Sequence, residues 1–170
     1  MTTTRAAQVI DGLLATLRAA SGFRDPAVDS TAAGVYDGPE APLYEGVVPQ
    51  EDFVVVGWSG LGDGPVESAV TEQTAISIGN REREETGRIP CLAVAQTGDT
   101  EYGTAKAMRD AALALVAGAE AAIRSDPWLG ITGLRALVVQ FEGVTSLQQL
   151  ASDDGMACWV EFAVTYTARI

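Results

Sequence analysis

Residues 81–130 decide the fold, and they run REREETGRIP CLAVAQTGDT EYGTAKAMRD AALALVAGAE AAIRSDPWLG. The part from 82 to 96 is rich in β-forming residues and predicts a strand. Apolar residues then repeat at helical spacing and predict one long amphipathic helix over 100–124. The apolar face consists of Met108, Ala112, Leu115, Ala119 and Ile123. Pro127 cannot continue the helix and ends it.

Pro90 lies inside the predicted strand 82–96. Because proline lacks a backbone N–H, it favours an edge strand or a bulge. Arginine and glutamate alternate where this strand begins, over 81–85. We therefore expect this strand to be an edge of the sheet and a candidate contact between subunits.

The remaining elements predict a single domain over residues 1–170, of the α+β class in two layers. A mixed, mainly antiparallel sheet should carry two long helices on one face, since that burial covers both apolar stripes. The first helix spans 3–21, and an acidic, loop-rich region spans 23–69, with Val35-Tyr36 as a short strand within it. Further strands are predicted at about 53–58, 70–78, 133–142, 144–150 and 156–169, with 70–78 and 82–96 forming a hairpin.

Composition excludes several functional classes. The net charge is −12 over 170 residues, and residues 25–72 contain ten acidic residues and no Lys or Arg. Such a surface repels nucleic-acid phosphate. The acidic stretch predicts either a solvated face or a surface that meets a basic partner or lets DNA pass. No segment reaches the ~20 apolar residues of a membrane span, and no signal peptide is recognisable, so the expected location is cytoplasmic.

The chain lacks histidine, the commonest general base. Gly57-Trp58-Ser59-Gly60-Leu61 loosely resembles a nucleophile elbow, but its second glycine comes one position early. The segment 54–62 also resembles a dinucleotide-binding loop weakly, although Asp63-Gly64-Pro65 follows in place of a helix. A glycine-rich loop is the favoured interpretation of both patterns.

Two carboxylate clusters are possible sites. Glu82, Glu84 and Glu85 alternate with arginines and are typical of a solvated or interface strand, whereas Asp153 and Asp154 are typical of a turn. Neither spacing matches a calcium-binding loop. The sequence therefore predicts no catalytic, cofactor-binding or metal-binding residues and no cofactor.

Two further residue types carry structural expectations. Cys91 and Cys158 both fall on strands and are expected to be buried and small, with a disulfide only if their strands are neighbours. Trp159 lies on the more polar face of the last strand. It predicts a second covered face of the sheet and a candidate subunit contact.

Several short motifs occur in a recognisable order. They are Val9-Ile10-Asp11, Val35-Tyr36-Asp37-Gly38-Pro39, Gly79-Asn80-Arg81, Glu84-Glu85 leading into Ile89-Pro90-Cys91, Gly98-Asp99-Thr100, Arg124-Ser125-Asp126-Pro127 and Tyr166-Thr167-Ala168-Arg169. This order resembles the tail terminator (tail-completion, minor tail) proteins of long-tailed bacteriophages, which also occur in prophages and gene transfer agents. The resemblance covers most of the chain, but not 59–69.

The resemblance implies a non-enzymatic virion protein of the tail and neck, assembled in the host cytoplasm. Such proteins form a ring, usually a homo-hexamer, that caps the head-proximal end of the tail tube, stops tube polymerisation and joins the tail to the head connector. The implied partners are other copies of the chain, the tail tube protein and the head-tail connector protein. DNA only passes through the lumen, and part of the acidic stretch 25–72 is a candidate lumen or connector surface.

Three alternatives remain open from the sequence. A head-tail connector or neck (head-completion) protein would have a similar size. A small carboxylate-dependent enzyme would need a pocket lined by Glu82, Glu84 or Asp153. A ligand-binding domain would be a monomer with a closed apolar pocket.

Overall fold

The computed structural model describes residues 4–27, 32–38, 52–58, 68–76, 82–101, 103–133, 137–152 and 155–170. In these ranges the chain forms two helices and a seven-stranded sheet. The elements are α1 Ala6–Ala19, β1 Phe23–Arg24, β2 Ala33–Asp37, β3 Phe53–Val56, β4 Val70–Ala75, β5 Arg83–Thr97, α2 Thr104–Ser125, β6 Val138–Ser152 and β7 Gly155–Arg169. Neither of these helices is long and apolar enough to cross a membrane.

The sheet is mixed and mainly antiparallel, as predicted. Its strand order is β1-β2-β3-β5-β7-β6, and β4 pairs with β5 outside this path. Strands β1, β2 and β3 are parallel to one another, whereas every other pair is antiparallel. Strand β7 borders β5 from Glu84 to Thr97, so β4 and β3 share the opposite side of β5, one after the other.

Both helices pack on one face of this sheet and bury their apolar stripes there. Val9, Leu13 and Leu17 of α1 are completely buried, and so is Ala119 of α2. The matching sheet positions alternate along the central strands, as the two-residue period of a strand requires. They include Ile89, Cys91, Ala93 and Ala95 on β5 and Cys158, Val160, Phe162 and Val164 on β7. The predicted α+β class is confirmed.

The opposite face carries a second, smaller apolar cluster. Phe53, Val55, Leu92 and Val94 are completely buried in it, and half-buried Trp159 packs against it. The prediction of a second covered face from Trp159 is therefore confirmed, whereas a subunit contact there stays a prediction.

The expectation that Pro90 marks a sheet edge is wrong. Strand β5 is central, with β7 on one side and β4 followed by β3 on the other. The Pro90 carbonyl accepts hydrogen bonds from the backbone N–H groups of Gly57 and Trp58 at the end of β3. Because N–H and C=O of one strand residue point to the same side, the missing N–H faces the junction between β3 and β4, where no ladder partner is required.

The two strands predicted at 133–142 and 144–150 are one strand, β6. Pairing with β7 shifts register between Phe141 and Gly143 and again between Val144 and Ser146. Glu142 and Thr145 are thus extra residues, and the strand continues through both irregularities. Helices predicted at 3–21 and 100–124 are found at Ala6–Ala19 and Thr104–Ser125, and the loop-rich region also contains β1, which the sequence pattern did not predict.

Candidate functional site

The residues that the sequence offers for chemistry separate into three groups. Ser59 with its glycine-rich loop and the pair Asp153-Asp154 lie outside the described residues. Glu82 and Glu84 are partly exposed. Glu85 is completely buried within the domain, so the interpretation of the acidic run as a solvated or interface strand is wrong at this position.

Glu85 is the centre of a polar cluster that joins four parts of the chain. Its Oε1 accepts hydrogen bonds from the Tyr166 hydroxyl at 2.7 Å, the Arg5 backbone N–H at 2.7 Å and the Thr4 hydroxyl at 3.0 Å. Its Oε2 accepts one from the Gln73 side-chain amide at 2.8 Å. Arg5 immediately precedes α1, where unpaired backbone N–H groups favour a negative charge. The carboxylate therefore links α1 to β4, β5 and β7.

Gly87 is the residue that makes room for this cluster. It lies opposite Tyr166 in the β5–β7 register, so both residues face the helices. A Cβ atom added at Gly87 would lie 2.2 Å from the Tyr166 ring atom Cε1. The ring thus lies directly over the glycine, which directs its hydroxyl to the Glu85 carboxylate two residues earlier on the same strand.

The cluster changes the pKa of both acidic groups. Burial alone would raise the pKa of the Glu85 carboxyl, but hydrogen bonds from Tyr166, Arg5, Gln73 and Thr4 outweigh it, and the pKa is lowered from its ordinary value of 4.5. The pKa of the Tyr166 hydroxyl is raised by burial and by Glu85. Glu85 is therefore ionised and Tyr166 neutral at pH ~7.

Because folding lowers the pKa of the Glu85 carboxyl, the stabilisation that this group contributes decreases as the pH falls. The unfolded chain binds the proton more readily, so the contribution is complete above the ordinary pKa of 4.5 and is lost as the pH falls through the lower folded-state value. We expect the difference in unfolding free energy between the wild type and Glu85→Gln to shrink from about pH 7 to about pH 3, measured by urea titration. A difference that stayed constant over this range would contradict the assignment. Asp52, whose pKa is raised by burial, contributes equally to the pH dependence of both proteins, so its contribution cancels in this difference.

This arrangement stabilises the fold. Both oxygens of Glu85 accept hydrogen bonds from the protein, and the side chain is completely buried. Within the ranges that the structure describes, no group of three or more His, Cys, Asp or Glu side chains could hold a metal ion.

The two cysteines occupy neighbouring strands but do not pair. Cys91 lies opposite Phe162 and Cys158 lies opposite Ala95, so the two thiols are offset by four positions along the strands. Both are free and buried. Burial raises the pKa of the Cys91 thiol to about 12 and also raises that of Cys158.

The exposed apolar surface, in contrast, is concentrated at the borders of the sheet. Eight large apolar side chains in the described ranges are exposed, and six of them lie on β6, on β4 or directly after β4. They are Val70, Ile76, Val138, Val144, Leu147 and Leu150. The other two are Leu113 on α2 and Trp128 after it.

The second half of β6 has little support from the rest of the domain. Five of its residues from 147 to 151 are exposed in succession, so side chains on both faces of the strand reach solvent. The Gln149 side-chain amide donates a hydrogen bond to the Ala105 carbonyl in the first turn of α2. This segment also lacks charge, since Val144–Ser152 runs VTSLQQLAS in a chain of net charge −12. That uncharged run was the sequence signal for a contact surface, and the sequence prediction did not use it.

Known proteins add no family assignment to this geometry. No protein-family model matches the chain, and comparison with curated proteins finds no match.

Proposed function

We propose that this protein is a structural virion protein of the tail terminator type. In this proposal it forms a ring, a homo-hexamer, that caps the head-proximal end of a phage tail tube, stops tube polymerisation and joins the tail to the head connector. Its partners are other copies of the chain, the tail tube protein and the head-tail connector protein, and DNA passes through the lumen without specific binding.

The exposed apolar side chains at the borders of the sheet support the proposal independently of the sequence motifs. Six of the eight large apolar side chains that are exposed in the described ranges lie on β6, on β4 or directly after β4, at the borders of the sheet. Scattered single apolar residues are ordinary on a protein surface, whereas a concentrated set marks a contact with another protein. A protein that assembles with copies of itself and with a tube needs such surfaces.

The competing functions have less support from the described residues. The buried Glu85 is engaged by four hydrogen-bond donors, so it does not favour a carboxylate-dependent enzyme. A head-tail connector or neck protein would use the same sheet borders and remains the alternative. The role of the acidic stretch 25–72 as a lumen surface stays a hypothesis, since most of it lies outside the described residues.

The direct test is the assembly of tail tubes from the tail tube protein encoded by the same genome. Tubes would be polymerised with and without this protein, and their lengths and ends examined by negative-stain electron microscopy. We expect shorter tubes with a ring at one end when the protein is present. Unchanged lengths with bare ends would refute the terminator assignment. Binding to the purified connector protein without any effect on tubes would favour the neck protein instead.

A further inference from the structure

We infer that neighbouring copies join through their sheets, with β6 of one copy pairing with β4 of the next. This inference rests on the proposed ring and specifies the contact that builds it. The occupant of each open strand is therefore a second copy of this chain.

Among the described residues, β4 and the second half of β6 are paired on one side only, whereas at the start of β6 the Val139 N–H donates to the Pro127 carbonyl. In the described part of the chain, β6 pairs only with β7 and β4 pairs only with β5. All six residues of β4 are exposed, and so are most of those in the second half of β6. A strand in this position presents a row of backbone N–H and C=O groups that can pair with another chain.

Strand β4 and the second half of β6 lack most of the usual protection against such pairing. Natural edge strands are commonly blunted by proline, by lysine and other charged residues, and by β-bulges. The two irregularities of β6, at Glu142 and Thr145, come before residues 146–152, where the pairing with β7 is regular. The fifteen residues of β6 include one charged residue, Glu142, and no proline. The six residues of β4 also include one, Glu72. Glu142 is already bound by Arg88, whose Nε lies 2.7 Å from its Oε2.

The charge distribution permits another copy of the chain to bind at these two strands. Two chains of net charge −12 repel each other over most of their surfaces. The strips along β4 and β6 are nearly neutral, so they are the places where two such chains can approach closely. A strongly basic partner would instead be attracted to the acidic surface and would have no preference for these strips.

The position of the two strands determines the kind of assembly. Strand β6 borders the sheet beyond β7, whereas β4 lies on the far side of β5. Pairing β6 with β4 is therefore a head-to-tail contact, and such contacts give a ring when the rotation closes. Pairing β6 with β6 would be a two-fold contact, which would stop at a dimer and leave β4 uncovered.

The expected contact is small, because β4 offers only six residues. A single such pairing is weaker than an interface of the standard size, about 800 Å² per partner. Ring closure gives every copy two contacts in place of one, so the last joining step is intramolecular and is favoured by a high effective concentration. We therefore expect rings and monomers to dominate over open intermediates.

The test uses two variants, called the border variants, each designed to prevent pairing at one of the two strands. Leu147→Glu with Leu150→Glu adds two negative charges to β6, and Val70→Glu with Ile76→Glu adds two at β4. The matched control is Leu113→Glu with Ala121→Glu, which adds the same charge at two exposed residues on the outer face of α2. All six side chains are exposed, so each variant should fold, and circular dichroism would verify this.

Sedimentation velocity of each variant and of their mixture gives the decisive result. We expect the wild type and the control to associate, and each border variant to associate at least about 100-fold more weakly. An equimolar mixture of the two border variants should associate more strongly than either variant alone and form a one-to-one dimer at high concentration, because one intact β6 and one intact β4 remain. Slower hydrogen exchange of residues 144–151 in that dimer than in either variant alone should accompany it.

Several outcomes would overturn the inference. These are a wild type that stays monomeric at the highest concentration, a β4 variant that dimerises by itself, and a mixture that associates no more strongly than either variant alone. The tube assay separates this failure from failure of the proposed function. Tubes still capped by rings would retain the terminator assignment without β4–β6 pairing, whereas uncapped tubes with a dimer in the mixture would retain the pairing alone.

Discussion

Replacement of Glu85 by alanine is expected to lower the free energy of unfolding by about 4 kcal/mol. The carboxylate is completely buried and accepts four hydrogen bonds from three other elements of the chain. Alanine would leave the buried Tyr166 hydroxyl and the part-buried Arg5 N–H without their acceptor. Loss of such a partner costs about 1–3 kcal/mol for each group, and hydrogen bonds to a charge are the stronger ones. Urea unfolding followed by circular dichroism measures the change.

Two variants show whether the effect belongs to the carboxylate. Glu84→Ala removes the neighbouring, partly exposed carboxylate and should cost less than about 0.5 kcal/mol. Tyr166→Phe removes the hydroxyl that donates a hydrogen bond to Glu85 and should lower the free energy of unfolding by about 1.5 kcal/mol. If Glu85→Ala were no more destabilising than Glu84→Ala, the cluster would not be the link between α1 and the sheet.

The substitution Gly87→Ala should lower the free energy of unfolding by about 2–3 kcal/mol, the second largest effect after Glu85→Ala. Its new methyl group would lie 2.2 Å from the Tyr166 ring, which is far inside contact distance. The ring must move, and its hydroxyl then leaves the Glu85 carboxylate. Thermal or urea unfolding would detect the loss, with Thr86→Ala as the control, because Thr86 is exposed on the other face of the same strand.

A double variant distinguishes the proposed cause from general crowding. If Gly87→Ala already breaks the bond between Tyr166 and Glu85, adding Tyr166→Phe should cost little more. The destabilisation of the double variant would then be about 1 kcal/mol smaller than the sum of the two single-variant destabilisations. Additive effects would mean that the ring adapts without losing its hydrogen bond.

Local patterns were sufficient to predict most of the fold. The stripe through Val9, Leu13 and Leu17 determines α1, since helical spacing of apolar residues is a property of one segment. The same is true of α2 and of the alternation along β7. The pairing of β4 with β5 followed from two adjacent strand patterns, and the antiparallel register confirms it.

The errors arose where distant segments decide the outcome. Pro90 indicated an edge because the sequence does not show that β3 ends opposite it and leaves its missing N–H without a required partner. Two strands were predicted at 133–142 and 144–150, but pairing with β7 carries one strand, β6, through two irregularities. Strand β1 has two residues and exists only through its parallel pairing with β2.

The candidate site was harder to predict for the same reason. Glu85 lies among arginines and glutamates, so its neighbours in sequence indicate a solvated strand. Its burial depends on Tyr166, eighty-one positions away, and on the start of α1, eighty positions away. The uncharged run in β6 was visible in the sequence, but that β6 is the outermost strand follows only from the pairing.

The buried cysteines have a practical consequence for mapping the assembly. The chain has only Cys91 and Cys158, and both are buried with raised thiol pKa values, so the folded protein offers almost no thiolate to an alkylating probe. A single cysteine introduced on β4 or β6 would be labelled in the otherwise native chain. Fluorophores or cross-linkers could then report distances between copies without removal of either native thiol.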